Sequence, residues 1–316
     1  MPRTAAVDCG TNSIRLLVTD LDAATGSQSD LERQMRVVRL GEGVDATGRL
    51  SEAALERTFA AVEDYASTIA DLGAERVRFV ATSASRDADN ARDFIAGVRA
   101  RLGVEPEVVP GEEEAALSFL GAVRELAGQV QGPFCVVDLG GGSTEVVVGD
   151  VRDGAPVVHA SRSVDVGCVR LSERHLRDDP PTPEQVAAAR ADVAAALDDV
   201  ERTVDLSGVR TLIGLAGSVT TVAAETLGLD AYLPERIHGS VHPLTEAVTA
   251  TGRLLHATRA ERAARGFMHP GRVDVIGAGA LVWRDVMERV AERSNISTVR
   301  VSEHDILDGI AWSLVG

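Results

Sequence analysis

The feature that most constrains this chain is a unit that occurs twice. Near the start the sequence reads Ala6-Val7-Asp8-Cys9-Gly10-Thr11-Asn12-Ser13-Ile14-Arg15-Leu16. From Val136 it reads Val-Val-Asp138-Leu139-Gly140-Gly141-Gly142-Ser143-Thr144-Glu145-Val146. Each copy is an apolar strand ending at Asp, a polar turn containing Gly, and a second apolar strand. Asp8 recurs as Asp138, 130 positions later. Self-similarity at that distance means one supersecondary unit used twice. It predicts an α/β fold of two like domains, placed at 1–128 and 129–316, facing each other across a cleft that would take a nucleotide- or phosphate-sized ligand. The stretch GQVQGP (128–133) reads as the link. The last helix is assigned to the second domain, with packing back on the first as the alternative.

Periodicity fills in the rest. Strands are expected at 4–9, 14–20, 34–40, 76–81 and 107–109, and helices at 51–72, 87–102 and 112–127. In the second half, strands are expected near 155–164, at 210–215 and at 298–301. Helices are expected at 183–203, 216–227, 244–257, 272–293 and 303–314.

Charge removes several function classes. The formal net charge is −16, with 48 acidic residues against 32 basic ones, and every basic one is Arg. A P-loop nucleotidase needs the Lys of its phosphate loop, a protein kinase needs a strand Lys, and Schiff-base chemistry needs an amine. All three are excluded. An acidic chain lacks the basic footprint of general nucleic-acid binding. At 3% aromatics, base-stacking and carbohydrate platforms are also disfavoured. No apolar run approaches the ~20 residues of a membrane helix, and the early strand pattern leaves no visible signal peptide. Three Cys without a CxxC read as free thiols in a reducing compartment, which places the protein in the cytoplasm.

Four segments suit a phosphate anion. The turn Gly10–Ser13 offers backbone N–H groups with hydroxyl and amide donors, Asn12 and Ser13 among them. Gly140, Gly141, Gly142 and Ser143 let the backbone approach an oxyanion closely. Asp138 and Glu145 flank that loop as candidate Mg²⁺ ligands. Gly217 and Ser218 stand where a strand enters a helix, where N–H groups and the dipole favour an anion. In Thr82–Asn90, hydroxyls precede a helix and Arg86 can grip phosphate. Each has a plainer reading as a hairpin or a helix cap, and it is their joint occurrence that points to phosphate. Glu112–Glu114 are open to two readings as well. They complement the helix dipole, or one of them orients and deprotonates a water.

The segments VDCGTNSIRLLV (7–18), TSASRDADN (82–90), PGEEEA (110–115) and VVDLGGGSTEVVVG (136–149) together resemble the exopolyphosphatase/guanosine pentaphosphate phosphohydrolase (Ppx/GppA) family. Weaker matches are GCVRL (167–171), GLAGSVTT (214–221), RVDVIGAGALV (272–282) and VSEHDILDGI (301–310). The resemblance implies two actin-like (ribonuclease H-like) domains of the sugar kinase/Hsp70/actin ATPase superfamily. It implies a Mg²⁺-dependent enzyme, with Mn²⁺ as a substitute, releasing orthophosphate from the end of inorganic polyphosphate. Glu114 matches the proposed base, Glu145 the second essential carboxylate, and Asp138 the metal-side Asp. Arg86 matches a phosphate-contacting Arg, with Asn12, Ser13 and Gly140–Ser143 at phosphate-loop positions. Asp8 is added as a metal candidate and Arg15 as a phosphate candidate. Longer members carry a further C-terminal helical region, so this chain is expected to be a short two-domain form favouring shorter polyphosphates.

The rival substrate is pppGpp, linked to the stringent response. A phosphotransferase of the same superfamily and a non-hydrolytic nucleotide sensor complete the set of functions the motifs allow. No nucleic-acid or membrane partner is expected, and apolar helix faces in the second half leave room for a homodimer.

Overall fold

The computed structural model describes residues 1–124, 130–152 and 154–315. The chain divides into two units, Met1–Gly121 with Ile306–Gly316, and Ala122–Asp305. The expected boundary at 128/129 lies outside the described residues, as does the expected end of the 112–127 helix. The last helix, Ile306–Ser313, belongs to the first unit.

The first unit contains strands β1 (Arg3–Cys9), β2 (Ser13–Asp22), β3 (Ser27–Val37), β4 (Arg76–Ala81) and β5 (Glu107–Val108). Their sheet order is β3-β2-β1-β4-β5. The second unit contains β6 (Phe134–Leu139), β7 (Thr144–Arg152), β8 (Ala155–Val164), β9 (Thr211–Leu215), β10 (Val241–Pro243) and β11 (Thr298–Val301). Their order is β10-β11-β9-β6-β7-β8. Apart from the added edge strand β10, the two orders are the same. Each sheet opens with an antiparallel three-strand meander, then adds parallel strands through helical crossovers.

The duplication extends to irregularities. The β2/β3 register shifts between Val18 and Thr19, and the β7/β8 register between Val148 and Gly149. Those are the same place in the repeat, 18 and 148. A bulge bends its strand and increases its twist, so both meanders bend at the same point.

Burial explains the central strands. All six residues of β6, Phe-Cys-Val-Val-Asp-Leu, are buried. A strand covered on both faces reads as a continuous apolar run rather than an alternation. Helices Glu52–Leu72 and Ala91–Leu102 cover one face of the first sheet through Val62, Tyr65, Ile69, Phe94 and Val98. Leu117 of helix Gly111–Val123, with Ile306, Leu307, Ile310 and Trp312, packs with Ala6, Leu17 and Val80 in a second cluster. In the second unit one continuous cluster joins the sheet to helices Pro183–Glu201, Ala216–Leu227, Leu244–His256 and Ile276–Ser294. Among the described residues, no helix is long and apolar enough to cross a membrane.

Local chemistry sets the ends. Ser51 accepts from the Ala54 N–H to open helix Glu52–Leu72, and Gly73 in the left-handed region closes it. Thr182 and Gln185 form a capping box on helix Pro183–Glu201.

Several expectations need correction. The third strand is Ser27–Val37, not 34–40. It is an edge strand with largely exposed side chains, so its first half carries no apolar signal. The 87–102 helix begins only at Ala91, and a separate short helix, Ser83–Arg86, precedes it. The Asn90 amide accepts from Leu50 N–H and donates to Leu50 C=O, and that tie delays the second start. The 272–293 helix begins at Ile276, after a 3-10 turn at Pro270–Arg272, and the last helix begins at Ile306 rather than 303. Helix Cys168–Arg174 and strand β10 were not expected at all.

Candidate functional site

In the first unit the β1–β2 turn is held from behind. Gly10 N–H donates to Ser13 C=O at 3.0 Å. The segment after β3 supplies Val38 and Arg39 N–H groups to Asn12 C=O, and Gly41 N–H to Thr11 C=O. The Thr11 and Ser83 hydroxyls meet at 2.8 Å, which ties the turn to the loop after β4. Gly41 has to be glycine here, because a Cβ would lie 2.3 Å from Thr11 Cγ2.

Asp8 and Arg15 are register partners across β1 and β2. The Arg15 guanidinium donates to Asp8 Oδ2 through Nε at 3.0 Å and Nη2 at 2.6 Å. Two residues assigned to metal and to phosphate are thus engaged with each other. Arg86 and Glu114 are also brought together. Arg86 Nη1 donates to Glu114 Oε2 at 2.7 Å and to Val109 C=O at 2.9 Å. Glu114, in the first turn of helix Gly111–Val123, is 7% exposed, whereas its neighbours Glu112 and Glu113 are not buried. That difference separates Glu114 from a general dipole-compensating cluster.

In the second unit the β6–β7 turn carries the same closure, Gly140 N–H to Ser143 C=O at 3.0 Å. Its carbonyls are pinned by helix Cys168–Arg174. Cys168 N–H donates to Gly140 C=O, and Val169 and Arg170 N–H groups donate to Gly141 C=O. Arg170 Nε donates to Gly142 C=O at 2.7 Å. Gly167 makes the approach possible, since a Cβ there would lie 2.4 Å from Gly141 O.

Asp138 and Glu145 are register partners across β6 and β7. Their side chains therefore leave the same face of the sheet. Exposure is 6% for Asp138 and 1% for Glu145. Ser163 Oγ donates to Glu145 Oε1 at 2.7 Å. Like charges directly opposite on a sheet are destabilising, so this pair fits a cation. An all-oxygen pair suits Mg²⁺, which takes one or two carboxylates and completes its shell with phosphate and water. Among the described residues, no group of three or more His, Cys, Asp or Glu forms a metal cage, and Mg²⁺ does not need one.

Gly217 and Ser218 open helix Ala216–Leu227, as expected. Ala216 has φ 67, left-handed and costly for a residue with a Cβ. Ser218 is buried; its hydroxyl packs where a Cβ on Gly279 would fall, at 2.3 Å.

The sequence did not single out the group beside Gly217. A Cβ on Gly217 would lie 2.3 Å from the Arg272 guanidinium. Arg272 Nη1 donates to Thr221 Oγ1 at 3.3 Å, and its guanidinium lies 6.0 Å from the Tyr232 ring centre. Tyr232 OH is 2.6 Å from Glu303 Oε1 and 2.7 Å from Thr220 Oγ1. Burial pushes the Glu303 carboxyl up, against the opposing pull of Tyr232 and Arg272. Burial likewise pushes up the Cys168 thiol. The matches GCVRL and RVDVIGAGALV held the signal for Arg170 and Arg272, but nothing in their spacing marked a site.

Known proteins resemble this chain along its length. The profile of the Ppx/GppA phosphatase family matches residues 19–313. Exopolyphosphatase 2 of Mycobacterium tuberculosis is 50% identical over all of this chain and 99% of its own. A guanosine-5'-triphosphate,3'-diphosphate pyrophosphatase of Photobacterium profundum is 34% identical over 69% of this chain and 42% of its own. The crystal structure of an exopolyphosphatase-like protein superposes with TM-score 0.94 at 43% identity, covering 99% of this chain and 97% of that one. The fold is shared with the Aquifex aeolicus Ppx/GppA protein at TM-score 0.80 and 31% identity, over 99% of this chain and 97% of that one.

Proposed function

The chain belongs to the Ppx/GppA phosphatase family, and from that premise we propose that it is an exopolyphosphatase, hydrolysing terminal orthophosphate from inorganic polyphosphate. The family's reaction is phosphoanhydride hydrolysis, and the full-length relative at 50% identity bears the name exopolyphosphatase. The observation that carries the reading is the Gly140–Ser143 turn flanked by the buried carboxylates Asp138 and Glu145.

Each part has a task. Backbone N–H groups of Gly141, Gly142 and Ser143 hold phosphate oxygens without a fixed positive charge, which suits a substrate that must leave after each cut. Asn12 and Ser13 offer the equivalent donors of the first unit. Glu114 orients a water and takes its proton, and Arg86 fixes the rotamer of the Glu114 carboxylate. Asp138 and Glu145 would hold Mg²⁺ or Mn²⁺. When bound, that ion supplies charge neutralisation at the phosphate oxygens. Asp8 serves its own turn by anchoring Arg15. Three free, buried thiols support a cytoplasmic setting.

A second reading, hydrolysis of pppGpp, is favoured by the likeness to the Photobacterium profundum pyrophosphatase. One assay tests both. Orthophosphate release is measured with Mg²⁺ on polyphosphates of defined length, with pppGpp and ATP as comparators. The expected result is a higher kcat/KM for polyphosphate than for pppGpp or ATP. Release from pppGpp alone would transfer the assignment to the second reading, and release from none would end both.

A further inference from the structure

We propose that Arg170 is a positioning residue for the phosphate turn, acting through the peptide that joins Gly142 to Ser143. The inference rests on reading Gly140–Ser143 as the phosphate cradle.

In a trans peptide unit, C=O and N–H point in opposite directions. A carbonyl fixed on one side therefore aims the next residue's N–H to the other side. The Gly140 carbonyl is fixed by Cys168 N–H at 3.0 Å, which aims Gly141 N–H. The Gly141 carbonyl is fixed by Val169 and Arg170 N–H groups at 2.8 and 3.1 Å, which aims Gly142 N–H. The next N–H of the helix, that of Leu171, goes instead to Gly167 C=O at 3.0 Å. At the third peptide a side chain takes over, and Arg170 Nε binds the Gly142 carbonyl at 2.7 Å, which aims Ser143 N–H. Three consecutive carbonyls are thus pinned on one side, and three consecutive N–H groups face the other.

Consecutive glycines would otherwise rotate freely, because they lose more conformational freedom on ordering than any other residue. The pins remove that freedom before substrate arrives. Oriented donors cost no reorganisation during reaction, and this is where their catalytic advantage lies. The first unit needs no such side chain. There Val38, Arg39 and Gly41 pin Asn12 and Thr11 with backbone N–H groups alone. The third pin of the second unit is the one made by a side chain, which a substitution removes without touching the backbone.

The test compares Arg170→Gln with Arg170→Met. The Gln amide nitrogen stands at the same bond count from Cα as Arg Nε, so it keeps the donor and loses the charge. Met has similar reach and no donor. Thermal melting is recorded first to show that both variants fold. On polyphosphate, Arg170→Met is expected to lose about tenfold in kcat with KM within about twofold, and Arg170→Gln to stay within about threefold of wild type. Equal losses in the two variants would mean that the charge matters rather than the pin. No loss in either, or a change in KM alone, would equally overturn the inference. If wild type releases no orthophosphate, the functional reading has failed, and the pin is then read by calorimetric binding of tripolyphosphate. Weaker binding by the Met variant only would uphold it, and equal binding by all three proteins would end it.

Discussion

Asp138 and Glu145 face each other across β6 and β7 as direct register partners, while the equivalent partners on β1 and β2 are Asp8 and Arg15. One copy of the repeat is therefore neutralised internally by an ion pair. The other copy places two buried carboxylates side by side. A single position, Arg15 or Glu145, separates a turn flanked by an ion pair from one flanked by two carboxylates.

That contrast predicts how Glu145→Gln behaves. The variant should lose orthophosphate release. In chelator it should be at least as stable as wild type, by roughly 0.2–1 kcal/mol, because a like-charge pair across the strands is relieved. Melting with and without MgCl₂ checks this. Wild type should gain in Tm with Mg²⁺ and the variant should not, and an equal gain in both would remove Glu145 from the ion.

Glu114→Gln keeps the size of the side chain and an oxygen for Arg86, but takes away the base. Loss of a general base typically costs 10²–10⁴ in rate. A fall in kcat of at least about a hundredfold is expected, with KM little changed, in steady-state phosphate release. Near-normal turnover would free Glu114 from that role.

Gly167→Ala should damage the turn directly. Its Cβ would sit 2.4 Å from Gly141 O and 2.7 Å from Gly142 N, both backbone atoms that cannot swing aside. Overpacking of this kind costs about 1–3 kcal/mol. Tm should fall, and kcat should fall further than the melting change accounts for at assay temperature. An unchanged melting curve would contradict the contact.

The pH dependence of stability should carry a contribution from Glu303. Burial raises its carboxyl above the usual value, Asp305 adds to the rise, and Tyr232, Arg272 and His238 oppose it. A folded-state value above the unfolded one means the native protein binds the proton more tightly. That contribution to stability is complete below the unfolded value and is lost as pH rises through the folded one. Glu303→Gln should therefore flatten the fall in Tm on the alkaline side of the ordinary carboxylate range. Parallel curves for variant and wild type would refute the assignment.

The repeat was legible because both copies are made of small, apolar and glycine-rich strands whose residues had no other way to be buried. It led directly to the two hairpins and to Asp138 and Glu145, whereas Glu114 came only from the resemblance of PGEEEA. The edge strand β3 was half hidden, because a strand with one open side and exposed side chains needs no alternation. Helix Cys168–Arg174 was missed because it is short and its decisive contacts are backbone N–H groups, which every residue type carries. The partnership of Asp8 with Arg15 lies one step beyond the strand assignment. It follows from the register, and a one-residue slip would have placed the two on opposite faces.

The placement of helix Ile306–Ser313 in the first unit has a consequence for how the protein is made. The second unit is a continuous stretch of chain, and everything it needs to fold has been synthesised by Asp305. The first unit was begun earlier, yet Ala6, Leu17 and Val80 receive Ile306, Leu307, Ile310 and Trp312 only at the end. Contacts so distant in sequence form late, because their loop closure is costly. The domain that emerges first from the ribosome is thus completed after the second, and until helix Ile306–Ser313 arrives its apolar sheet face is covered in part, by Val109 and Leu117.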